Sequence, residues 1–356
     1  MIPIARPNIG EREKELVLEV LNSGMLVQGP KVAALEKAFA EVCDVKHAIA
    51  TSSGTTSLHL ALLAHGIGKG DEVITTPFTF IASASSILFT GAKPVFVDID
   101  VDTFNIDPDL IESAITPQTK AILPVHLYGY VCDMGAIMDI AERHNLVVIE
   151  DACQAVGATY QGRKSGSFGT GTFSLYATKN VMSGEGGMIT TNDDVIAEQC
   201  KLMRSHGMKV RYYHDMLGYN FRLSDLHAAI GLAQMERLEK FNAIRKSNAQ
   251  YLSEHITSAI TPQVKPGYEH VWHQYTIRID GNRDRDAAVK QLNEAGVGTG
   301  IFYPVPVHQQ EYIREIVGDY NLPVAEQVAK EVISIPVHPL VSKSDLEKIV
   351  EEVNRL

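Results

Sequence analysis

The chain has 356 residues, 45% hydrophobic and 21% charged, enough to bury a large core. Its net charge of −11, with no long basic run, disfavours bulk attraction to nucleic acid or an anionic membrane. No stretch reaches the roughly 18–20 apolar residues of a membrane span, and the N-terminus reads without a signal-peptide pattern.

Apolar strand-like runs alternate with helix-like segments from about residue 45 to about residue 205. His47–Ala50 reads as a strand, followed by a turn at Ser52–Thr55 and a helix over Thr56–Ala64. Glu72–Thr76, Pro94–Val97, Ala121–Val125 and Leu146–Ile149 read as further strands, with a helix at Asp133–His144 before the last. Thr172–Tyr176 and Gly187–Thr191 extend the series. The alternation predicts an α/β fold with a mostly parallel sheet flanked by helices and binding groups at the strand ends.

The pattern changes near residue 224. A helix is expected over Ser224–Leu238, a strand at Val271–Ile279 and a helix at Asp284–Glu294. A strand at Val297–Tyr303 and a closing helix from Ser344 follow. The reading is two domains, a large α/β unit over 1–223 and a smaller α+β unit over 224–356.

Two sites carry the chemistry. Glu150-Asp151 closes a strand, and a carboxylate left there needs a partner. A protonated pyridine nitrogen would serve, as would an arginine from another element. Lys179 comes 28 residues after Asp151, behind a strand and ahead of Ser183-Gly184-Glu185-Gly186-Gly187. An amine there could form an imine with an aldehyde, and together the pair meets the needs of pyridoxal phosphate. Gln154 could reach the ring's phenolic oxygen.

Other segments read two ways. Ser52-Ser53-Gly54-Thr55 suits a phosphate cradle at a helix N-terminus, though alone an ordinary capped turn is the better reading. Phe80, in Pro77-Phe78-Thr79-Phe80, could stack on a planar ring or fill the core. Gly166–Gly171 is spaced G-x-x-G-x-G and misses the dinucleotide fingerprint. The histidines lack metal-binding spacing, so no metal is expected. Four cysteines without a C-x-x-C pair fit a reducing cytoplasm.

In order along the chain stand Ser-Ser-Gly-Thr, Thr79-Phe80, Glu150-Asp151-Ala152-Cys153-Gln154, Phe173-Ser174 before Lys179-Asn180, Gly184-Glu185-Gly186-Gly187 and Gly218-Tyr219-Asn220-Phe221-Arg222. This series closely resembles the DegT/StrS-type sugar aminotransferases, fold-type I pyridoxal 5'-phosphate enzymes. The resemblance spans nearly the whole chain. It implies that Lys179 is the imine-forming lysine, Asp151 the acid on the pyridine nitrogen, Gln154 the neighbour of the ring oxygen and Phe80 the stacking ring. Gly54, Thr55 and Ser174 match phosphate contacts. Asn220 matches a residue that reaches the phosphate in the neighbouring subunit, which implies a homodimer with shared active sites. Arg222, Tyr303 and His308 are the expected substrate contacts. Cys153 departs from the alanine common at its position; a small thiol should pack against the second ring face, or be buried and inert.

Some relatives of this kind are dehydratases with histidine in place of the lysine, so Lys179 favours transamination. The N-terminal third looks most like perosamine-synthase-type enzymes. The implied reaction aminates carbon 4 of a nucleotide-linked 4-keto-6-deoxy sugar with glutamate as donor. The alternatives are a 3-keto sugar or keto-inositol aminotransferase, a lyase on the same fold, or a non-enzymatic regulatory protein, which the acidic charge disfavours.

Overall fold

Short strands rich in valine, isoleucine and threonine build a central seven-stranded sheet. They are β1 (His47–Thr51), β2 (Glu72–Thr75), β3 (Lys93–Phe96), β4 (Thr119–Leu123), β5 (Val147–Asp151), β6 (Thr170–Ser174) and β7 (Gly187–Thr191), arranged β1-β7-β6-β5-β4-β2-β3. All neighbours are parallel except the two pairs made by β7. The computed structural model describes residues 1–281 and 283–356. The expected α/β class with a mostly parallel sheet is the one observed. Most of the strand residues are buried, as in a sheet covered on both faces. Among the described residues no helix is long and apolar enough to cross a membrane.

Helix α1 (Glu11–Ser23) and helix α2 (Pro30–Cys43) precede the sheet, and α3 (Gly54–Ala64) follows β1. The hydroxyl of Ser53 accepts from the Thr56 amide at 3.2 Å, so α3 starts two residues before the run Thr56–Ala64 suggests. Asp133 caps the helix Met134–His144 in the same way, through the Ala136 amide at 3.1 Å.

Beyond residue 224 the helices expected at Asp284–Glu294 and from Ser344 are found, as Arg285–Glu294 and Lys343–Asn354, while other elements differ. The helix expected over Ser224–Leu238 is found as Asp225–Met235; a second helix, Leu238–His255, was not foreseen and follows a break at Arg237, whose backbone is not helical. No glycine or proline marks that break. The strand expected over Val271–Ile279 shrinks to Tyr275–Arg278, because Trp272 has a left-handed φ of 51° and takes the chain out of extension. It pairs with Val332–Ile335. Val297–Tyr303 forms no strand: it makes only isolated bridges, Val297 to Ile2 and Gly300 to Ser334.

The change of pattern at residue 224 does not coincide with a gap in packing. Ala229 and Ala233 of the helix Asp225–Met235 sit in one apolar cluster with Leu16 and Val20 of α1. Asp225, buried, accepts from the Gly29, Lys31 and Val32 amides at 2.8, 3.1 and 2.9 Å, which caps α2 from across the chain. A Cβ at Gly29 would lie 2.7 Å from the Asp225 carboxylate, so only glycine fits. In return, Ile2 packs among Tyr275, Ile277 and Ile335 in the C-terminal cluster.

Glu150, near the end of β5, is fully buried. It accepts from the amides of Gly166, Phe168 and Gly169 at 2.8, 2.8 and 2.9 Å and meets His126 Nε2 at 3.0 Å. An amide in its place would turn a donor toward donors. Each buried group left unpaired costs about 1–3 kcal/mol. Glu150→Gln is therefore expected to lower unfolding stability by at least that much in urea titration. An unchanged midpoint and slope would show that the loop holds without the carboxylate.

Candidate active site

Successive residues of a strand face opposite ways. Glu150 accordingly enters the loop after β5, and Asp151 enters a cavity of about 670 Å³ on the other face. The cavity lies at the carboxyl ends of β1, β5 and β6, the usual place for a ligand in such a sheet.

The Asp151 carboxylate accepts from the Ser83 hydroxyl at 2.7 Å and the Cys153 amide at 3.2 Å. It is 5% exposed and has no ion-pair partner among the described residues. A buried carboxylate in that condition suits a cationic ligand atom. The arginine alternative is not realised here.

Lys179 lies in the turn beyond β6. Its amide donates to Tyr176 O at 2.9 Å. The glycine-rich segment then folds back: the Leu175 amide donates to Gly186 O and the Ser183 amide to Leu175 O, both at 2.8 Å. Gly184 has φ 84° and Gly186 φ 154°, so this return needs glycine. The next residue anchors the turn from the side. Asn180 Nδ2 donates to Val271 O at 2.8 Å and Asn242 Oδ1 at 2.9 Å. Loss of hydration lowers the pKa of the Lys179 amine, against smaller opposing pulls from Cys153 and Asp151. A lowered pKa leaves more of the amine neutral and nucleophilic.

The opposite end of the cavity is the N-terminus of α3. Ser53 caps it, while the amides of Gly54 and Thr55 make no hydrogen bond among the described residues. Free amides and the positive dipole end suit a phosphate. Ser174 lines the same end. A Cβ on Gly54 would lie 2.8 Å from Ser174 Cβ and 3.0 Å from Cys153 Sγ, so glycine lets these elements close together. Phe80, a large aromatic 56% exposed, forms one cavity wall with its ring 6.2 Å from that of Tyr303. Gln154 accepts from the Tyr128 amide at 2.8 Å and donates to the Tyr303 hydroxyl at 3.4 Å. Burial pushes the Tyr303 phenol upward and keeps it protonated, and it raises the Cys153 thiol likewise, keeping it neutral.

The cavity therefore assembles Gly54, Thr55, Phe80, Asp151, Gln154, Ser174, Lys179 and Tyr303. Three expected residues are not among its lining. Asn220 is exposed, with its backbone bridged to Ser205, and Arg222 is half-buried nearby. His308 is buried against Glu326 Oε1 at 3.1 Å and beside Phe96. The helix Pro323–Glu331, which carries Glu326, was not foreseen and supplies the covering layer. Ser83, Tyr128, His273 and Gln274 were missed. Nothing in Ala82-Ser83-Ala84-Ser85-Ser86 distinguishes the serine that meets Asp151.

An amine, an acid without a cationic partner, an anion cradle and an exposed aromatic wall are what pyridoxal phosphate requires, and the residues present fit it.

The chain is 46% identical to a protein named pleiotropic regulatory protein from Geobacillus stearothermophilus, over 94% of this chain and 91% of the other. It is 42% identical to the GDP-perosamine synthase of Caulobacter vibrioides, over 100% and 98%. The solved structure of S. venezuelae DesV in complex with a ketimine intermediate matches with a TM-score of 0.93 at 37% identity, covering 97% of this chain and 94% of that one. The model of the DegT/DnrJ/EryC1/StrS aminotransferase family matches residues 7–354, and the chain belongs to that family as a pyridoxal phosphate-dependent sugar aminotransferase.

Proposed function

We propose that the protein aminates carbon 4 of a nucleotide-linked 4-keto-6-deoxy sugar, with glutamate as amino donor. The observation that carries the reading is the convergence of Lys179, Asp151 and the α3 N-terminus on one cavity. The full-length similarity to a GDP-perosamine synthase supports the sugar class. A regulatory role, as the name of the Geobacillus relative says of that protein, requires none of these groups together. We also place the protein in the cytoplasm, on the ground that all four cysteines are free.

Bound pyridoxal phosphate supplies an electron sink and a carrier for the amino group. The rest falls to the chain. Lys179 would hold the cofactor through its Nζ and, once released, would carry the proton between the substrate carbon and the cofactor carbon in each half of the reaction. Asp151 keeps the ring nitrogen protonated, and Ser83 and the Cys153 amide hold its carboxylate in place. The Gly54 and Thr55 amides and Ser174 hold the phosphate, and Phe80 covers one ring face. Asn220, exposed and outside its own cavity, is proposed to reach the phosphate across a homodimer interface, and Arg222 to pair with an anionic group of the substrate.

Lys179→Ala should abolish turnover while leaving the circular dichroism spectrum unchanged. Loss of a positioned proton carrier alone costs about 10²–10⁴-fold. Near-normal amino transfer to a keto sugar would end the assignment. Asp151→Asn removes a charge-assisted hydrogen bond of about 1.5–3 kcal/mol, so cofactor affinity should fall about 10–100-fold with a slower reaction. Unchanged affinity and rate would make Asp151 structural only.

The shared site has its own test. Asn220→Asp sets a charge against phosphate and should be inactive by itself. Mixing that chain with Lys179→Ala should restore activity, because one site of a mixed dimer keeps both residues. If subunits exchange and no activity returns, each chain works alone.

A further inference from the structure

The wall of the cavity contributed by the C-terminal part of the chain carries none of the residues assigned above to the cofactor. His273 and Gln274 line it, and both are more than nine-tenths buried. The carboxamide of Gln274 makes no hydrogen bond among the described residues, although its backbone amide is fixed on Tyr128 O at 3.2 Å. His273 Nδ1 meets Asn180 Oδ1 at 3.3 Å. That oxygen only accepts, since Asn180 Nδ2 is committed to Val271 O and Asn242. Nδ1 therefore carries the proton, and Nε2 is left as a bare acceptor. Burial first, then the nearby charges of Lys179 and Arg245, hold the imidazole well below its ordinary value, so it is neutral.

The backbone at this wall is strained. Trp272, immediately before, sits at φ 51°, which a bulky residue rarely adopts. Such strain persists only where the surroundings impose it, and it gathers at functional sites. Here Arg245 imposes it. Its Nη1 donates to Trp272 O at 3.1 Å and His273 O at 3.4 Å, and it has no carboxylate partner among the described residues. Burial lowers this guanidinium to about 10. The Trp272 amide donates to His270 Nδ1 at 2.9 Å, and the two rings stack at 3.9 Å. A buried cation committed to two carbonyls fixes the direction of the wall rather than neutralising an acid.

We propose that His273 and Gln274 are the specificity-determining residues for the acceptor, reading ring hydroxyl groups of the keto sugar by hydrogen bonds, with Arg245 as their positioning residue. The neutral His273 Nε2 accepts from a hydroxyl. The Gln274 carboxamide can donate and accept, and so can bind a hydroxyl next to it. This rests on the nucleotide-linked keto sugar proposed above. A hydroxyl pair is a feature of the sugar and not of glutamate, so the two halves of the reaction separate the roles.

The test uses the loaded enzyme and its Gln274→Leu and Gln274→Glu forms. The donor half is followed as loss of cofactor colour on adding glutamate. The acceptor half is followed with a GDP-linked 4-keto-6-deoxyhexose and with its analogues lacking the hydroxyl at carbon 2 or carbon 3. For Gln274→Leu we expect a donor half close to the parent rate and a fall of about 5–30-fold in kcat/KM for the full sugar, the value of one lost hydrogen bond. One of the deoxy analogues should show no further fall in this variant. Gln274→Glu, of the same shape, should retain part of the preference. The assignment is overturned if the variant keeps the parent's preference for the hydroxylated sugar, or if the donor half falls in equal proportion. If the parent enzyme takes the amino group from glutamate but delivers it to no nucleotide-linked keto sugar, the substrate reading fails and this assignment with it. Activity of the parent with failure confined to the variant's predicted pattern overturns the wall alone.

Discussion

The site depends on the end of one strand. β5 finishes with two adjacent carboxylates, and the alternation of a strand sends them to opposite faces. Neither can stay buried without partners. Glu150 finds backbone amides and a histidine, and by doing so it shapes the loop that leads into β6. Asp151 finds one hydroxyl and one amide and, among the described residues, no cation. One acid is consumed by the fold, the other is left for a ligand. Everything the cavity does follows from this asymmetry, because β6 delivers Lys179 only if the loop before it is fixed.

The parts of the site legible in the sequence were those whose chemistry is carried by short, ordered motifs. Lys179, Asp151 and the turn at Gly54 stand in local patterns, strand then acid, strand then lysine, strand then capped helix, and local patterns survive folding. The sheet was legible for the same reason, with each expected strand found within a residue or two. What the sequence did not reveal is brought in from a distance. Ser83 reaches Asp151 from a helix after β2, and His273 and Gln274 arrive from a segment some ninety residues past the lysine. Periodicity carries no information on such meetings.

The misreadings have physical causes as well. The helix Leu238–His255 was missed because no glycine, proline or side-chain cap separates it from the run Ser224–Leu238. Val271–Ile279 is apolar and β-branched enough to read as a strand, but Arg245 pulls the carbonyls of Trp272 and His273 into another path. His308, expected as a substrate contact, lies outside the cavity lining. A helix not foreseen at Pro323–Glu331 covers it and pairs it with Glu326.

The two ends of the chain exchange places in the packing, and this bears on how the protein can be made. α1 rests on a helix that begins some two hundred residues later, and Ile2 is seated among residues beyond 270. A ribosome releases the N-terminus long before either partner exists. Contacts that span most of the chain slow folding, since the loop they close must be paid for in entropy first. Helix α1 must therefore wait with its apolar face bare until the helix Asp225–Met235 emerges. A fragment ending at residue 223 would wait indefinitely, which makes the large α/β unit a poor candidate for expression by itself.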